Sequence, residues 1–406
     1  MIRCGTDIVE IDRIKAAVTG VTGFFDKVFA DCEIEYFRQN GKRYEILAGF
    51  YAAKEAFSKY LQTGIRGFSL RDVSVDHEPS GAPFIRFFGE KQEVSLSISH
   101  NKTTAIATVC GKSFVGVDKD TAKKMSGLLP VRKSGGNKGD FGRITVVAGS
   151  KGMTGAAVLS AYSALRTGSG LVTLLTAESE RAIAAAYRAE IMTGGLSCEN
   201  GIITADAAER VIEFANKSDA VVFGPGLGQS DGVFEVLSRL IREYDGNLVI
   251  DADGLNALSK NPEILKDKSC KIILTPHPGE MSRLAKKTIE GIQNDRKNCA
   301  EQFAAEYDVT IVLKGEGTVV TAPGEESYIN ETGNVGMATA GSGDVLSGMI
   351  ASLAGQGLGA FDAAALGVYL HGLAGDIAAD EKTVYGVVAG DIAEKVPDAF
   401  KLILFE

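Results

Sequence analysis

The chain has 406 residues, of which 45% are hydrophobic, and a formal net charge of -9. This length suffices for two or three domains with separate cores. The first 120 residues carry 16 Lys and Arg and 16 Asp and Glu, so the negative excess lies in the rest of the chain. Neither part is basic enough for a nucleic-acid-binding protein. No apolar run is long enough for a transmembrane helix, so we expect neither nucleic acid nor a membrane as a partner.

The six cysteines do not form a CxxC pair, which argues against a zinc site. The N-terminal sequence MIRCGTDIVE does not resemble a signal peptide. We therefore expect a cytoplasmic protein whose thiols are reduced.

The first 110 residues predict short strands and helices of an α+β domain. The opening strand, 2–11, contains Asp7 among apolar residues, and an acidic residue in such a strand requires a partner or a metal. A helical stretch follows over 33–40. Further strands are predicted over 73–77, 83–88, 93–99 and 104–109.

A longer helix is predicted over 46–61, because its apolar residues recur every three or four positions. On this pattern Lys54, Glu55, Ser58 and Lys59 fall largely on the opposite, exposed side. Glu55 and Lys59 are four residues apart, and the simplest interpretation of such a pair is a weak surface ion pair.

The segments GTDIVEIDRI, LAGFYAAKEAFSK, SGAP and SLSISHN resemble holo-[acyl-carrier-protein] synthase, a 4′-phosphopantetheinyl transferase. The resemblance covers nearly all of residues 1 to 112. It implies that Asp7 and Glu55 bind Mg²⁺, which holds the pyrophosphate of coenzyme A. It also implies that Lys59 and His100 are catalytic residues, near the phosphates and the adenylate. The activity implied is transfer of 4′-phosphopantetheine from coenzyme A to a serine of an acyl carrier protein.

The main departure from the family is Phe50, which stands where an arginine is usual; Gly23 also occupies a place where arginine is common. Loss of this charge would weaken contacts with phosphate or with an acidic carrier protein. A non-enzymatic alternative therefore stays open, in which the domain serves only for oligomerisation and carrier docking. His100, taken alone, also fits a structural histidine.

From residue 111 to 142 the chain is rich in Lys, Gly and Ser and loses its periodicity, which indicates a linker and the entry to a new domain. We place the boundary near residue 120, giving domains 1–120 and 121–406.

In the second domain apolar strands alternate with helices. The predicted strands are 144–148, 171–176, 220–223, 248–250, 272–274 and 310–313. This pattern predicts an α/β fold with a mostly parallel sheet and helices on both faces. In such sheets the ligand site lies beyond the carboxyl ends of the strands.

Polar residues and glycines follow these strands and would line one crevice. They are Gly226, Asp251, Asp253, His277, Glu280, Lys314 and Thr318. Several of them also have a structural alternative: a tight turn at Gly226, a helix cap at Asp253, a proline turn with an N-terminal Glu280 after His277, and an exposed surface position for Lys314.

The stretch GNVGMATAGSGDVLSGMI, 333–350, predicts a glycine-rich turn and a helix beginning near Gly343. Convergent backbone amides and the positive end of a helix form an anion site suited to phosphate. Asp344 at its edge could take a proton from a hydroxyl that attacks phosphorus. The alternative is an ordinary helix start with an acidic residue in its first turn.

The order of motifs resembles the ADP-dependent NAD(P)H-hydrate dehydratase of the ribokinase-like superfamily. The matching segments are NKGDFGRITVVAGSKGMTGAAVLSAYSALRTGSGLVT, AEIMT, GPGLG, DADGLNAL, LTPHPGEMSRL, VLKGEGT, GNVGMATAGSGDVLSGMIA and YLHGLAGDIAA. The resemblance implies that the C6 hydroxyl of hydrated NADH or NADPH is phosphorylated by ADP. Phosphate is then eliminated, leaving AMP and the repaired dinucleotide.

The implied roles follow by position. Asp344 is the base, and the amides of residues 341–344 hold the transferred phosphoryl group. The hydrate is contacted by Ala156, Gly226, His277 and Asp344. The ADP or AMP is contacted by Lys314, Gly315, Glu316, Gly317, Thr318 and Gly343. Mg²⁺ bridges the phosphates.

Two further expectations come from the resemblances. Many bacterial relatives carry an epimerase fused to the dehydratase, and here a transferase stands in its place, so we expect direct action on one epimer. Both families assemble, the transferases as trimers, so we expect a homo-oligomer. The alternative for the second domain is an ATP-dependent small-molecule kinase of the same superfamily.

Overall fold

The computed structural model describes residues 2–61, 68–112, 117–132 and 135–404. The chain forms two compact units, Met1–Gly116 and Val117–Glu406, and each is described by itself. Of the predicted linker, residues 113–116 and 133–134 lie outside the described part.

In its described residues, the first unit contains two small antiparallel sheets, ordered β1-β6-β5 and β2-β3-β4, and four α-helices. Its strands are β1 (Ile2–Glu10), β2 (Val73–His77), β3 (Pro83–Phe87), β4 (Glu90–Lys91), β5 (Val94–His100) and β6 (Thr104–Lys112). Its helices are α1 (Ile11–Gly20), α2 (Phe24–Val28), α3 (Asp31–Gln39) and α4 (Tyr44–Leu61).

Helix α4 is the centre of this unit. It packs on β1 and β6, and its residues Leu47, Ala53 and Phe57 are at most 1% exposed. Burial of such side chains contributes about 1.5–3 kcal/mol each for the larger ones. The same helix carries two residues of the predicted transferase site, so packing of α4 on the sheet positions that site.

The prediction that Lys54 and Ser58 lie on an exposed side of α4 is wrong, because both are buried. α4 also packs against α3 and β2, so more than one of its sides is covered. The Lys54 ammonium lies 2.7 Å from a carboxylate oxygen of Glu33, and both side chains are fully buried. Hydrophobic periodicity does not reveal a buried ion pair.

The expectation of reduced thiols is wrong for two of the cysteines, since Cys4 and Cys110 form a disulfide. They are directly opposite in the antiparallel pair of β1 and β6, with Cα atoms 4.3 Å apart. Facing residues of an antiparallel ladder lie this close where no hydrogen bond joins them. Cys32, Cys198, Cys270 and Cys299 are free.

The sequence prediction missed helix α1. The strand was expected to extend to Ile11, but the helix begins there. Ile11 and Ile14 are both buried, and a spacing of three residues fits one face of a helix.

The second unit is built on a nine-stranded sheet with helices around it. Its strands are β7 (Arg143–Val147), β8 (Leu171–Ala177), β9 (Met192–Leu196), β10 (Cys198–Glu199), β11 (Ile202–Ile203), β12 (Ala220–Phe223), β13 (Asn247–Ile250), β14 (Lys271–Leu274), β15 (Thr310–Leu313), β16 (Val319–Thr321) and β17 (Tyr328–Ile329). Its helices are α5 (Lys119–Ser126), α6 (Thr154–Arg166), α7 (Arg181–Ala185), α8 (Ala208–Ala215), α9 (Asp231–Glu243), α10 (Asp253–Leu258), α11 (Pro278–Ala285), α12 (Ile289–Asn294), α13 (Arg296–Tyr307), α14 (Ser342–Gly355), α15 (Ala360–Lys382) and α16 (Ala389–Leu404).

The strand order is β17-β16-β15-β14-β13-β12-β7-β8-β9. Seven strands are parallel, and only β16 and β17 pair in the antiparallel sense. The predicted mostly parallel α/β fold is confirmed. The chain order reverses between β7 and β12, and ligands of such sheets bind beyond the strand ends at this point.

Within the described residues, no helix has both the length and the apolar character needed to cross a membrane.

Candidate active sites

Two predicted substrate residues meet where the strand order reverses. Gly226 follows β12, and Ala156 lies in the first turn of α6, after β7. A side-chain carbon placed on Gly226 would lie 3.2 Å from Cβ of Ala156 and 2.9 Å from Cβ of Met153. Any larger residue at position 226 would therefore fill this space.

Asp251 and Lys314 meet at the ends of β13 and β15. The Lys314 ammonium lies 2.7 Å from Oδ1 of Asp251 and 3.9 Å from Oε2 of Glu280. A side-chain carbon placed on Gly343 would lie 3.2 Å from that ammonium. The lysine is therefore beside the backbone at the start of α14, and it is not the exposed surface residue of the alternative interpretation.

The predicted anion site begins at Gly341, which caps α14 in the left-handed conformation with φ 89°. A residue with a side chain adopts this conformation at a cost, so glycine suits the position. The first amides of the helix have no intrahelical acceptor, and the helix dipole adds a partial positive charge. Together these groups favour an anion.

Asp344 lies in the first turn of α14 and is partly exposed. Burial, followed by the negative charge of Asp251, raises the pKa of Asp344 to about 7, although Lys314 acts in the opposite direction. Its carboxyl group can therefore both accept and release a proton near neutral pH.

His277 caps α11, and this explains the HPGE motif. Nδ1 of His277 accepts a hydrogen bond from the amide of Gly279 at 3.0 Å. The amide of His277 donates to Oε2 of Glu280 at 2.8 Å. The proline turn of the alternative interpretation is thus present, and it also brings His277 and Glu280 to the same sheet edge as Lys314.

The two side chains of this cap have opposite pKa shifts. Burial, followed by the charge of Lys314, lowers the pKa of His277. Burial raises the pKa of Glu280 to about 7. Nε2 of His277 lies 3.3 Å from Oε1 of Glu280. Since Nδ1 accepts a backbone hydrogen bond, the neutral imidazole carries its proton on Nε2, the nitrogen nearer Glu280.

The loop 314–318 is held by Arg296, at the start of α13, which the sequence analysis missed. Its guanidinium donates to the carbonyl groups of Leu313 at 2.9 Å, Lys314 at 3.2 Å and Glu316 at 2.8 Å. Gly315 has a φ of 138°, and Arg296 fills the space beside it. No sequence motif marks this arginine, because it acts only on backbone atoms.

Asp253 is the first residue of α10, and its Oδ2 accepts a hydrogen bond from the amide of Gly228 at 2.9 Å. It therefore joins two of the strand-end loops rather than capping its own helix. His371 was also missed. It is buried, and its Nε2 lies 3.4 Å from the hydroxyl of Ser342, which anchors the first turn of α14.

In the first unit, Lys59 pairs with Asp7 and not with Glu55. Its ammonium lies 2.8 Å from Oδ1 of Asp7 and 3.0 Å from the carbonyl oxygen of Thr6. Burial, followed by the charge of Glu55, raises the pKa of Tyr51, and Asp7 contributes in the same direction. The carboxyl groups of Asp7 and Glu55 therefore both lie near Tyr51.

His100 ends β5 and is exposed. The register pairs His100 with Ala105 and Asp7 with Ala107, so the two residues are on the same face of the sheet, two strands apart. His100 also interacts electrostatically with Glu45, at the start of α4. The buried-histidine alternative does not hold.

Phe50 is 3% exposed. Its ring packs against Tyr36 at 5.8 Å and His77 at 5.9 Å between centroids. The side chain at this position belongs to the core of the unit, so the departure from arginine is a change in packing.

Comparison with known proteins identifies two families. Residues 144–398 match the family described as NAD(P)H-hydrate dehydratase. Residues 3–110 match the 4′-phosphopantetheinyl transferase superfamily. The matched segments lie in the second and first units respectively.

Relatives of the second unit include the bifunctional NAD(P)H-hydrate repair enzyme Nnr of Moorella thermoacetica, 43% identical over 278 residues, 68% of this chain and 52% of the relative. The ADP-dependent (S)-NAD(P)H-hydrate dehydratase of Neisseria meningitidis is 38% identical over 67% of this chain and 90% of its own length. The chain spans about half the length of the bifunctional relatives it matches.

A solved structure is also similar. The ADP/ATP-dependent NAD(P)H-hydrate dehydratase from Bacillus subtilis, co-crystallised with ATP and Mg²⁺, is 28% identical over 70% of this chain and 97% of its own, with a TM-score of 0.60. The predicted ribokinase-like fold of the second unit is thereby confirmed, and both family matches are to enzyme families. The chain belongs to the NAD(P)H-hydrate dehydratase family and carries, ahead of that unit, a domain of the 4′-phosphopantetheinyl transferase superfamily.

Proposed function

We propose that the second unit dehydrates the 6S form of hydrated NADH or NADPH, using ADP as the phosphoryl donor. The observation that carries the proposal is the position of Asp344. Its carboxyl group has a pKa of about 7 and lies in the first turn of α14, where backbone amides favour phosphate. The relative from Neisseria meningitidis is named as an ADP-dependent dehydratase.

In the first step the C6 hydroxyl of the hydrated ring attacks the β-phosphorus of ADP. Asp344 accepts the hydroxyl proton, the phosphoryl group moves to the C6 oxygen, and AMP leaves. The amides of Gly341, Gly343 and Asp344 and the ammonium of Lys314 would stabilise the negative charge of the transition state, whereas the amide of Ser342 already donates to the carbonyl oxygen of Thr339 at 3.3 Å.

In the second step the C6–O bond breaks and phosphate leaves with the electron pair. A proton is lost from C5, and the C5–C6 double bond forms. The sum is hydrate plus ADP giving NADH or NADPH, AMP and phosphate. Ala156, Gly226 and His277 would position the ring, and the loop 314–318 with Gly343 would bind the adenine nucleotide.

Mg²⁺ fits this site as an ion carried by the nucleotide. Among the described residues there is no group of three or more His, Cys, Asp or Glu placed to hold a metal. Mg²⁺ commonly uses few protein ligands and several phosphate oxygens and waters. When bound, it would neutralise phosphate charge.

The test is to incubate the full chain with the purified 6S hydrate, Mg²⁺ and either ADP or ATP. We expect the absorbance of the dihydronicotinamide ring to return in parallel with the release of AMP from ADP and of phosphate. Transfer of phosphate from ATP to another small molecule, with no repaired dinucleotide, would instead support the kinase alternative. The 6R hydrate is the matched control and should not react directly.

For the first unit we propose transfer of 4′-phosphopantetheine from coenzyme A to a serine of an acyl carrier protein. The match over residues 3–110 and the Asp7–Lys59 contact of 2.8 Å support it. Lys59 occupies only one oxygen of Asp7, so this carboxylate and that of Glu55 can offer oxygen ligands to Mg²⁺.

This second proposal is tested with coenzyme A, Mg²⁺ and apo carrier protein. We expect the carrier protein to gain the mass of one phosphopantetheine group, and Glu55→Gln to abolish the gain. A carrier protein that binds to the chain without gaining mass would support the docking-module alternative.

A further inference from the structure

Asp251 has no role in the proposed chemistry, although it is 1% exposed and lies at the centre of the site. It follows β13, and its amide donates to the carbonyl oxygen of Phe223 at 3.1 Å. Its own carbonyl oxygen accepts from the amide of Gly254 at 2.9 Å. The backbone on both sides is thus fixed to neighbouring elements, and the carboxylate has little freedom to move.

The two oxygens of this carboxylate differ. Oδ1 holds the Lys314 ammonium at 2.7 Å. Oδ2 is buried and has no hydrogen-bond partner among the described residues. A buried, half-satisfied carboxylate is costly, and a buried ion pair by itself is weak evidence of stabilisation. The arrangement therefore calls for a functional explanation.

Lys314 is held at both ends. Its amide donates to the carbonyl oxygen of Pro276 at 2.9 Å, and Arg296 binds its carbonyl oxygen. Its side chain reaches across the end of β14 to Asp251, beside Gly343. A free lysine side chain has four rotatable bonds, so the Asp251 contact selects one position for its charge.

We propose that Asp251 is a positioning residue, which fixes the Lys314 ammonium beside Gly343 so that this charge meets the phosphoryl group in transfer. The inference rests on the proposed dehydratase function. It predicts a second effect, because the charge of Asp251 also acts on the carboxyl group of Asp344. The charged groups that act on Asp344 are Asp251, Lys314, Asp253 and Glu280.

The test is Asp251→Asn, which keeps an oxygen acceptor for Lys314 but removes the charge. We expect kcat for dehydration to fall by about 100-fold because a neutral amide holds the ammonium less firmly than a carboxylate does, with a smaller change in KM for the hydrate. Asp251 raises the pKa of Asp344. Its neutralisation therefore lowers that pKa, and the acidic limb of the rate profile shifts to lower pH.

Carboxyl-selective NMR of the ligand-free chain measures the Asp344 pKa without any turnover. Lys314→Gln is the second variant, and it should move that pKa upward because Lys314 lowers it. Because the two variants should shift the pKa of Asp344 in opposite directions, either one tests the inference if the other folds poorly. Glu33→Gln is the matched control: it also breaks a buried pair at 2.7 Å, but it should leave the Asp344 titration unchanged.

An unchanged kcat in Asp251→Asn would overturn the inference. The inference would also be overturned if the activity of Asp251→Asn fell only in proportion to the loss of folded protein and the pKa of Asp344 did not change. Full recovery of the activity of Asp251→Asn at high Mg²⁺ would overturn it as well. If the unaltered chain shows no dehydration at all, the proposed function fails instead, and the NMR shifts still report whether Asp251 sets the state of Asp344.

Discussion

Two lysine–carboxylate pairs, one in each unit, have the same nitrogen–oxygen distance and different surroundings. Lys54 lies 2.7 Å from Glu33 in the first unit, and Lys314 lies 2.7 Å from Asp251 in the second. The nitrogen–oxygen distance therefore does not distinguish the two pairs. They differ in the other hydrogen bonds that each lysine and each carboxylate makes.

The Lys54–Glu33 pair is fully satisfied. Lys54 also donates to the carbonyl groups of Leu70 and Val73. Glu33 also accepts from the amides of Ala30 at 2.8 Å and Val75 at 2.9 Å. The pair thus joins α3, α4 and β2, and no polar atom is left for a ligand. Its role is to fix the packing of three elements.

The Lys314–Asp251 pair is incomplete. Oδ2 of Asp251 has no partner in the described residues, and the lysine is 18% exposed. Asp344 and Glu280, nearby, both have a pKa of about 7. An excess of carboxylates over cations costs stability, and active sites commonly bear such a cost. The comparison indicates that the pair proposed to act in the site differs from the structural pair in its unsatisfied bonding capacity and in the partial exposure of its lysine.

The largest expected effect comes from removing the base. We expect Asp344→Asn to lower the dehydration rate by about 10²–10⁴-fold, measured as return of the dihydronicotinamide absorbance. The free energy of unfolding should stay equal or rise, because one of several repelling carboxyl groups is gone. Phosphopantetheine transfer, at a different unit, is the control. A marked loss of thermal stability would mean that Asp344 belongs to the scaffold.

Breaking the Lys54–Glu33 pair should have the reverse outcome, a loss of stability with no loss of dehydration activity. Lys54→Met keeps the side-chain length but leaves Glu33 buried without its cation, which costs about 3–5 kcal/mol. Calorimetry of the full chain should show the transition of the first unit at a lower temperature. Dehydration by the second unit should continue at its usual rate. If the variant is as stable as the unaltered chain, the pair does not hold the packing together.

The pH dependence of dehydration provides a third test. A raised pKa means that Asp344 is protonated, and inactive as a base, below its pKa of about 7. The rate should therefore fall as the pH drops through about 7, by roughly tenfold per unit once well below it. Initial rates at constant ionic strength would measure this. A flat profile across this range would exclude Asp344 as the base.

Sequence patterns predicted much of the second unit because its strands are short apolar runs that end at unusual residues. Gly226, His277, Lys314 and Gly343 follow such runs or open a helix, so their meeting at one edge follows from the sheet. Arg296 could not be found this way, since it binds carbonyl groups that any residue would offer. The unpaired oxygen of Asp251 is likewise a property of the assembled site.

Sequence patterns predicted less of the structure of the first unit. The β1–β6 register that joins Cys4 to Cys110 depends on contacts between residues 106 positions apart. The burial of Lys54 depends on α3 and β2 covering a second side of α4. Neither the disulfide nor the burial of Lys54 can be predicted from the periodicity of nearby residues in the sequence. Helix periodicity identified α4, and packing from distant elements decided which of its polar residues are buried.

The smallest expected effect concerns Phe50, and it separates packing from chemistry within the first unit. Phe50 is 3% exposed, between Tyr36 and His77, so Phe50→Leu should cost about 1 kcal/mol of unfolding free energy. The rate of phosphopantetheine transfer per folded molecule should not change. Phe50→Arg would bury a charge without a partner and should cost several-fold more. A faster transfer reaction in Phe50→Arg would show that a side chain at position 50 reaches the coenzyme, and that the position does not serve only to pack a buried ring.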